Sequence, residues 1–257
     1  MLAVLGVLGL VVGSFLNVVI HRVPEGLSLW RPGSACPACS HPVRAYDNVP
    51  VLSWLALRGR CRDCHGRISR RYPAVELATA ALFVAAGLEF GLDGYLPAAL
   101  ALAAGGVALF MIDLDRRRLP FEITGVTALL VVAALGVDVL AGSAQPRLLP
   151  LVSIGIWLAV YAGVWLATGG RGMGLGDVAL APLLGLALGW LGWGPTLVGL
   201  LGGFVVGALV GVALMLGGRA GRRTQVPHGP FMLAGAALGM FFGTSLWSGY
   251  LGLVGIT

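Results

Sequence analysis

Apolar stretches long enough to approach the width of a membrane recur almost end to end in this chain, broken by one long polar segment. Crossing a hydrocarbon core about 30 Å thick takes about 20 helical residues. Eight stretches qualify as spans: Leu2 to Ile20, Val75 to Leu92, Tyr95 to Ile112, Phe121 to Ala141, Leu148 to Ala167, Val178 to Trp193, Pro195 to Leu216 and Pro230 to Val254. Of the 257 residues 58% are hydrophobic and 11% charged, far below the roughly 25% charged residues of a soluble domain. The expected fold is an all-α polytopic membrane protein with about eight transmembrane helices. The first stretch lacks both a preceding basic region and a following small-residue cleavage site, so it reads as a retained helix and not as a secretory signal. Small residues recur every fourth position in Gly9 and Gly13, in Gly203, Gly207 and Gly211, and in Gly235, Gly239 and Gly243. Such spacing lets helices approach closely and predicts a packed bundle. No internal repeat is evident.

All 17 basic residues are arginine, which makes the positive-inside rule simple to apply. Nine lie between Arg22 and Arg71, three at Arg116 to Arg118, one at Arg171 and three at Arg219 to Arg223; only Arg147 falls in the alternate loops. An even number of spans then places both termini outside and the arginine-rich loops in the cytoplasm. The net charge of +6 is explained by basic patches facing anionic lipid of the bilayer, with no nucleic acid as partner.

The four cysteines all lie in the polar segment, as Cys36-Pro-Ala-Cys39 and Cys61-Arg-Asp-Cys64 with 21 residues between the pairs. Each pair can present two sulfurs to one ion, and two pairs close a tetrahedral zinc shell with no open position. A reducing cytoplasm disfavours disulfides. His41 and His65 stand near, but four cysteines complete the set without them. A segment of about 50 residues builds little core of its own, so structural zinc would supply much of its stability. The expected organisation is transmembrane helix 1 over residues 1–21, a cytoplasmic zinc module over 22–73 between helices 1 and 2, and helices 2 to 8 over 74–257.

Two of the 11 acidic residues sit where spans meet the arginine-rich face. Asp113 ends the third span, and Asp177 closes Gly172-Met173-Gly174-Leu175-Gly176-Asp177 at the start of the sixth. An ionisable group at the edge of a span is a functional candidate unless it is otherwise satisfied. Two facing carboxylates can share one proton, the ionised member acting as general base on water while the protonated one polarises a carbonyl. Gly174 and Gly176 would let a substrate backbone approach and let the chain turn before the helix. Asp177 could instead merely cap that helix. Asp115 rivals Asp113 but can pair with Arg116 to Arg118. Glu76, and with less claim Glu122, open helices after proline, where the helix dipole already favours an acid.

Taken in order, these residues resemble the type IV prepilin leader peptidases, also called prepilin peptidase and N-methyltransferases. The resemblance runs through Gly13-Ser14-Phe15-Leu16-Asn17, His21-Arg22-Val23-Pro24, both cysteine pairs, Leu57-Arg58-Gly59-Arg60 and Ile68-Ser69. It continues through Arg71-Tyr72-Pro73-Ala74-Val75-Glu76, the blocks from Asp113 to Pro120 and from Gly172 to Asp177, and Pro227-His228-Gly229-Pro230. It implies a GxGD-type aspartyl peptidase with Asp113 and Asp177 as catalytic residues, favouring Asp113 over Asp115, with Gly174, Gly176 and Glu76 in support. It further implies cleavage after glycine between a short basic leader and the apolar helix of a prepilin or pseudopilin, at the cytoplasmic face of the inner membrane. Methylation of the new amino terminus by S-adenosylmethionine is also implied, with Gly59 and Arg60 linked to it. The chain departs from the family pattern at Ala179, where a lysine is usual, at Phe121, at Arg60 and at His228, where phenylalanine is common. The competing readings are an intramembrane aspartyl peptidase for other substrates and a non-catalytic scaffold or transporter. A transporter would carry acids near mid-membrane, whereas Asp113 and Asp177 are read as interfacial.

Overall fold

The computed structural model describes residues 1–142, 145, 147–218 and 226–255. The arginines at 219, 222 and 223, used in the orientation argument, lie outside the described residues. Nine α-helices are described: α1 Leu2–Arg22, α2 Leu52–Ala56, α3 Arg71–Phe90, α4 Leu96–Arg116, α5 Phe121–Leu140, α6 Leu149–Thr168, α7 Leu175–Leu191, α8 Trp193–Leu216 and α9 Gly229–Val254. Seven of them are long and apolar enough to cross a membrane, and α7, with 17 residues, is a shorter apolar helix. The eight expected spans therefore correspond to α1 and α3 to α9. Among the described residues there is no strand, only two isolated bridges. Prolines open α6 and α9 at their first turns, where a missing N–H costs nothing and the fixed φ suits a helix. The break between α7 and α8 falls at Gly192, two residues before Gly194, which separates the expected spans. Gly192 has φ +130, which only glycine adopts without strain.

The chain divides into two compact units, Met1–Ala108 and Leu109–Thr257. In the first, α1 packs along α3 with glycines at the contact. A Cβ on Gly9 would stand 2.6 Å from Ala80 Cα, and one on Gly13 2.6 Å from Glu76 Cα. Asn17 Nδ2 donates to the Tyr72 carbonyl at 3.2 Å, fixing the polar ends of the two helices. The cysteine segment follows α1 and is short of core: α2 and the two short 3₁₀ turns of this segment bury no residue.

In the second unit α7 packs against α5, α6, α8 and α9. Its buried residues, Asp177, Leu180, Ala181, Leu183, Leu184, Gly185, Ala187, Leu188 and Gly189, run round most of its circumference, as expected of a central helix. Close approach again rests on small residues. A Cβ on Gly235 would lie 2.6 Å from Gly203 Cα, on Gly239 2.8 Å from Gly199 Cα, and on Gly243 2.5 Å from Pro195 Cα. The glycine spacing thus predicted the α9 face correctly. Its partner on α8 runs through Gly199 and Gly203, whereas Gly211 faces open space. Where α6, α7 and α8 meet, the Ser153 and Thr196 hydroxyls are 3.2 Å apart and buried.

Candidate active site

Asp113 lies in the last turn of α4, which continues to Arg116 instead of ending at Ile112. The next residue, Arg117, takes φ +52 and returns its N–H to the Asp113 carbonyl at 2.9 Å, ending the helix. On this turn Asp113 is 4% exposed, whereas Asp115 is exposed. Asp113 Oδ2 accepts the Gly229 N–H at 3.1 Å, the first residue of α9. Asp177 stands at the third position of α7, 7% exposed, and its Oδ2 accepts the N–H of the N-cap residue Gly174 at 2.8 Å. Each carboxylate thus has one oxygen tied to a glycine N–H at the positive end of a helix. Asp177 Oδ1 is buried and has no hydrogen-bond partner among the described residues.

The two acids are brought together through Leu119. A Cβ on Gly176 would lie 2.9 Å from Leu119 Cβ, and one on Gly229 3.0 Å from Leu119 Cδ1 and 2.7 Å from Asp113 Oδ2. Leu119 therefore seats the starts of both α7 and α9, and Asp177 acts electrostatically on Asp113. The glycines work differently from the expected turn. Gly174 has an ordinary extended backbone, φ −86 and ψ 163, and a Cβ there would meet only Asp177 Oδ2 at 3.6 Å. Gly176 is required for space, not for conformation.

The four cysteine sulfurs lie within 4.8 Å of one another, and Cys36 Sγ is 3.8 Å from Cys64 Sγ. Four sulfurs placed tetrahedrally about 2.3 Å from one zinc stand about 3.8 Å apart, so the residues fit that ion. Two matching turns build the site, a local repeat that the sequence reading missed. Cys36 N–H donates to the His41 carbonyl and Cys61 N–H to the Gly66 carbonyl, while Ser40 and His65 N–H groups return to Cys36 and Cys61. Ser40 and His65 take the same positive φ, 57 and 56. Arg62, inside the second pair, forms a bidentate ion pair with Asp47 at 2.6 and 2.9 Å and lies over the Tyr46 ring. The Asp47 carboxyl is held below its usual range by that guanidinium. Arg44 pairs with Asp63 at 2.9 Å.

Two family models match the chain in sequence order, the bacterial peptidase A24 N-terminal domain over residues 7–90 and the type IV leader peptidase family over 100–212. A prepilin leader peptidase/N-methyltransferase of Burkholderia pseudomallei (strain K96243) is 39% identical over 269 residues, covering 94% of this chain and 85% of the relative. The chain belongs to the type IV leader peptidase family. Proteins of the same description from Pseudomonas putida, 36% identical over 97% of this chain and 93% of the relative, and from Myxococcus xanthus, 44% identical over 85% and 65%, extend the likeness. No solved structure gives a significant match.

For a member of this family the remaining candidates have clear surroundings. Glu76 is 7% exposed and lies in the first unit. Its Oε2 accepts the Val51 N–H at 2.7 Å. Val51 holds φ +60, a conformation costly to a β-branched residue by about 1–3 kcal/mol, and the carboxylate helps hold it there. Gly59 has φ +67, and a Cβ there would stand 2.8 Å from the Trp54 indole. Trp54 Nε1 in turn donates to the Ile68 carbonyl at 3.2 Å. Trp54, Asn17, Arg31, Tyr72 and Glu76 are among the residues lining a cavity of about 770 Å³ in this unit. Arg60 is exposed beside the second cysteine turn.

Sequence reasoning did not single out Leu119, Tyr161 or His228 as site residues. Tyr161 of α6 is fully buried, between Trp157 and Phe204 in a ring stack, and its ring is 5.8 Å from that of His228. Asp177 acts electrostatically on the Tyr161 hydroxyl. A tyrosine in an apolar span leaves no spacing signal, because its partners come from other helices.

Proposed function

We propose that this chain is a membrane aspartyl endopeptidase that removes the basic leader of type IV prepilins or pseudopilins by cutting after glycine. In this reading it then methylates the new amino terminus. The observation that carries the proposal is the arrangement of Asp113 and Asp177, buried in a family of leader peptidases with one oxygen of each held by a glycine N–H.

The ionised member of the pair takes a proton from a water whose oxygen attacks the scissile carbonyl carbon, while the protonated member donates to the carbonyl oxygen. Collapse of the tetrahedral intermediate breaks the C–N bond, and the departing amine takes up a proton from the pair. Gly174, whose backbone and space do not demand glycine, leaves open ground for a substrate strand beside Asp177. S-adenosylmethionine, when bound, would supply the methyl group for the new amino terminus. The cavity walled by Trp54, Asn17 and Glu76 is within the size range of small-molecule sites, about 300–1,000 Å³, and those residues would hold the donor. Cys36, Cys39, Cys61 and Cys64 would hold zinc as a closed structural site. The proposed division remains helix 1 over 1–21, the zinc module over 22–73 and the peptidase helices over 74–257. The arginine distribution supports an inner-membrane protein with both sites facing the cytoplasm and both termini outside.

Cleavage of a prepilin by the protein in liposomes tests the reading. Asp113→Asn or Asp177→Asn should each lower turnover by about 10²–10⁴-fold, the usual worth of a general acid or base. Undiminished cleavage by either variant overturns it. Replacing the substrate glycine with a bulky residue should abolish cleavage, whereas a peptidase for other substrates would tolerate the change. Mass spectrometry of the new amino terminus should find one added methyl group when S-adenosylmethionine is supplied.

A further inference from the structure

Four buried polar atoms of the second unit have no hydrogen-bond partner among the described residues: Asp177 Oδ1, Trp157 Nε1, the Tyr161 hydroxyl and His228 Nε2. They come from three elements, the start of α7, the middle of α6 and the residue that caps α9. The Tyr161 and His228 rings are 5.8 Å apart, and Asp177 acts on the Tyr161 hydroxyl. Phe204 and Phe231, with ring centres 5.4 and 6.1 Å from His228, close its apolar side. Burial holds the His228 imidazole below its usual range, so it is neutral and offers one donor and one acceptor. Buried polar groups are satisfied by protein or by ordered water, and a buried water makes about three hydrogen bonds.

We propose that Asp177 Oδ1, the Tyr161 hydroxyl and His228 Nε2 form a binding site for one buried water, making Tyr161 and His228 positioning residues of the peptidase pair. Tyr161 O–H and, in the Nε2-protonated tautomer, His228 N–H donate to the water oxygen. The water donates to Asp177 Oδ1. With Oδ2 held by Gly174, the carboxylate plane is then fixed from both sides. His228 also precedes Gly229, whose N–H holds Asp113, so it adjoins the anchor of the other acid.

This inference rests on the proposed peptidase reading. Tyr161→Phe, His228→Phe and the double variant remove hydrogen-bonding atoms while keeping rings in the stack. Their kcat, KM and thermal unfolding midpoints are measured on prepilin cleavage by the full chain in liposomes. Tyr161→Phe should lower kcat about tenfold or more, the effect of losing a charge-assisted hydrogen-bond network, with KM and the midpoint unchanged. His228→Phe should act in the same direction, and the double variant should be little worse than the more damaging single one, since both serve one water. Unchanged kcat in Tyr161→Phe, a loss of kcat that tracks a lowered midpoint, or multiplicative effects in the double variant each overturns the water site. If Tyr161→Phe does not fold, His228→Phe decides by the same criteria. Cleavage surviving Asp113→Asn or Asp177→Asn would instead refute the parent reading, whatever the tyrosine variants do.

Discussion

The two halves of this molecule hold their polar groups in opposite ways. In Met1–Ala108 the cysteine segment lies largely exposed, and its order comes from two repeated turns, cross-braced by Arg62 with Asp47 and Arg44 with Asp63. In Leu109–Thr257 the two carboxylates Asp113 and Asp177 are enclosed by closely packed helices and tethered by glycine N–H groups. A polar segment of this size builds little core of its own, and its four clustered cysteines are placed so that they could hold a metal ion. A glycine-packed bundle brings order from backbone contact and can leave one oxygen of a buried carboxylate open to water, as at Asp177 Oδ1, which has no partner among the described residues.

Removing the metal should produce the largest effect and fall only on the first region. Chelation should make residues 22–73 sensitive to protease, because structural zinc in finger peptides contributes an apparent stability of about 10–16 kcal/mol. Elemental analysis should find one zinc per chain beforehand, and a module that keeps its resistance without metal would erase the contrast. The next largest effect belongs to the second region. Gly235→Ala would drive a Cβ into Gly203 backbone and should lower stability by about 3 kcal/mol, measured by thermal unfolding with zinc content unchanged.

Gly176→Ala sharpens the comparison more locally. Its Cβ would press on Leu119, costing about 1–2 kcal/mol and lowering cleavage through displacement of Asp177, whereas Gly174→Ala should leave stability intact. Equal stability losses for the two would contradict the spatial account. The smallest effect should come from Asp47→Asn, which weakens an exposed ion pair screened by solvent. It should barely move the unfolding midpoint and should leave zinc bound.

Much of this was readable from residues, for identifiable reasons. Spans announce themselves because a helix in hydrocarbon must be apolar over its whole length, and α1 and α3 to α9 start and stop within a few residues of the expected points. The clustering of the cysteine pairs is legible because both sulfurs of a pair come from one turn. The matching backbone of the two turns was not, since Ser40 and His65 share a conformation but no side-chain chemistry. Leu119 and Tyr161 were hidden for another reason. Leu119 matters by filling the space left by Gly176 and Gly229, and Tyr161 by facing elements distant in sequence. The glycines of the α8 and α9 contact were half legible: their period marks a face, but only the structure selects Gly199 over Gly211.

The central claim is that burial separates Asp113 from its neighbour Asp115 on the same helical turn, and that the buried one belongs to the peptidase pair. Leader cleavage by Asp113→Asn and Asp115→Asn, measured side by side in liposomes by mass spectrometry of the released leader, tests it most directly. The account predicts a loss of about 10²–10⁴-fold for Asp113→Asn and near wild-type cleavage for Asp115→Asn. Active Asp113→Asn beside inactive Asp115→Asn would contradict it.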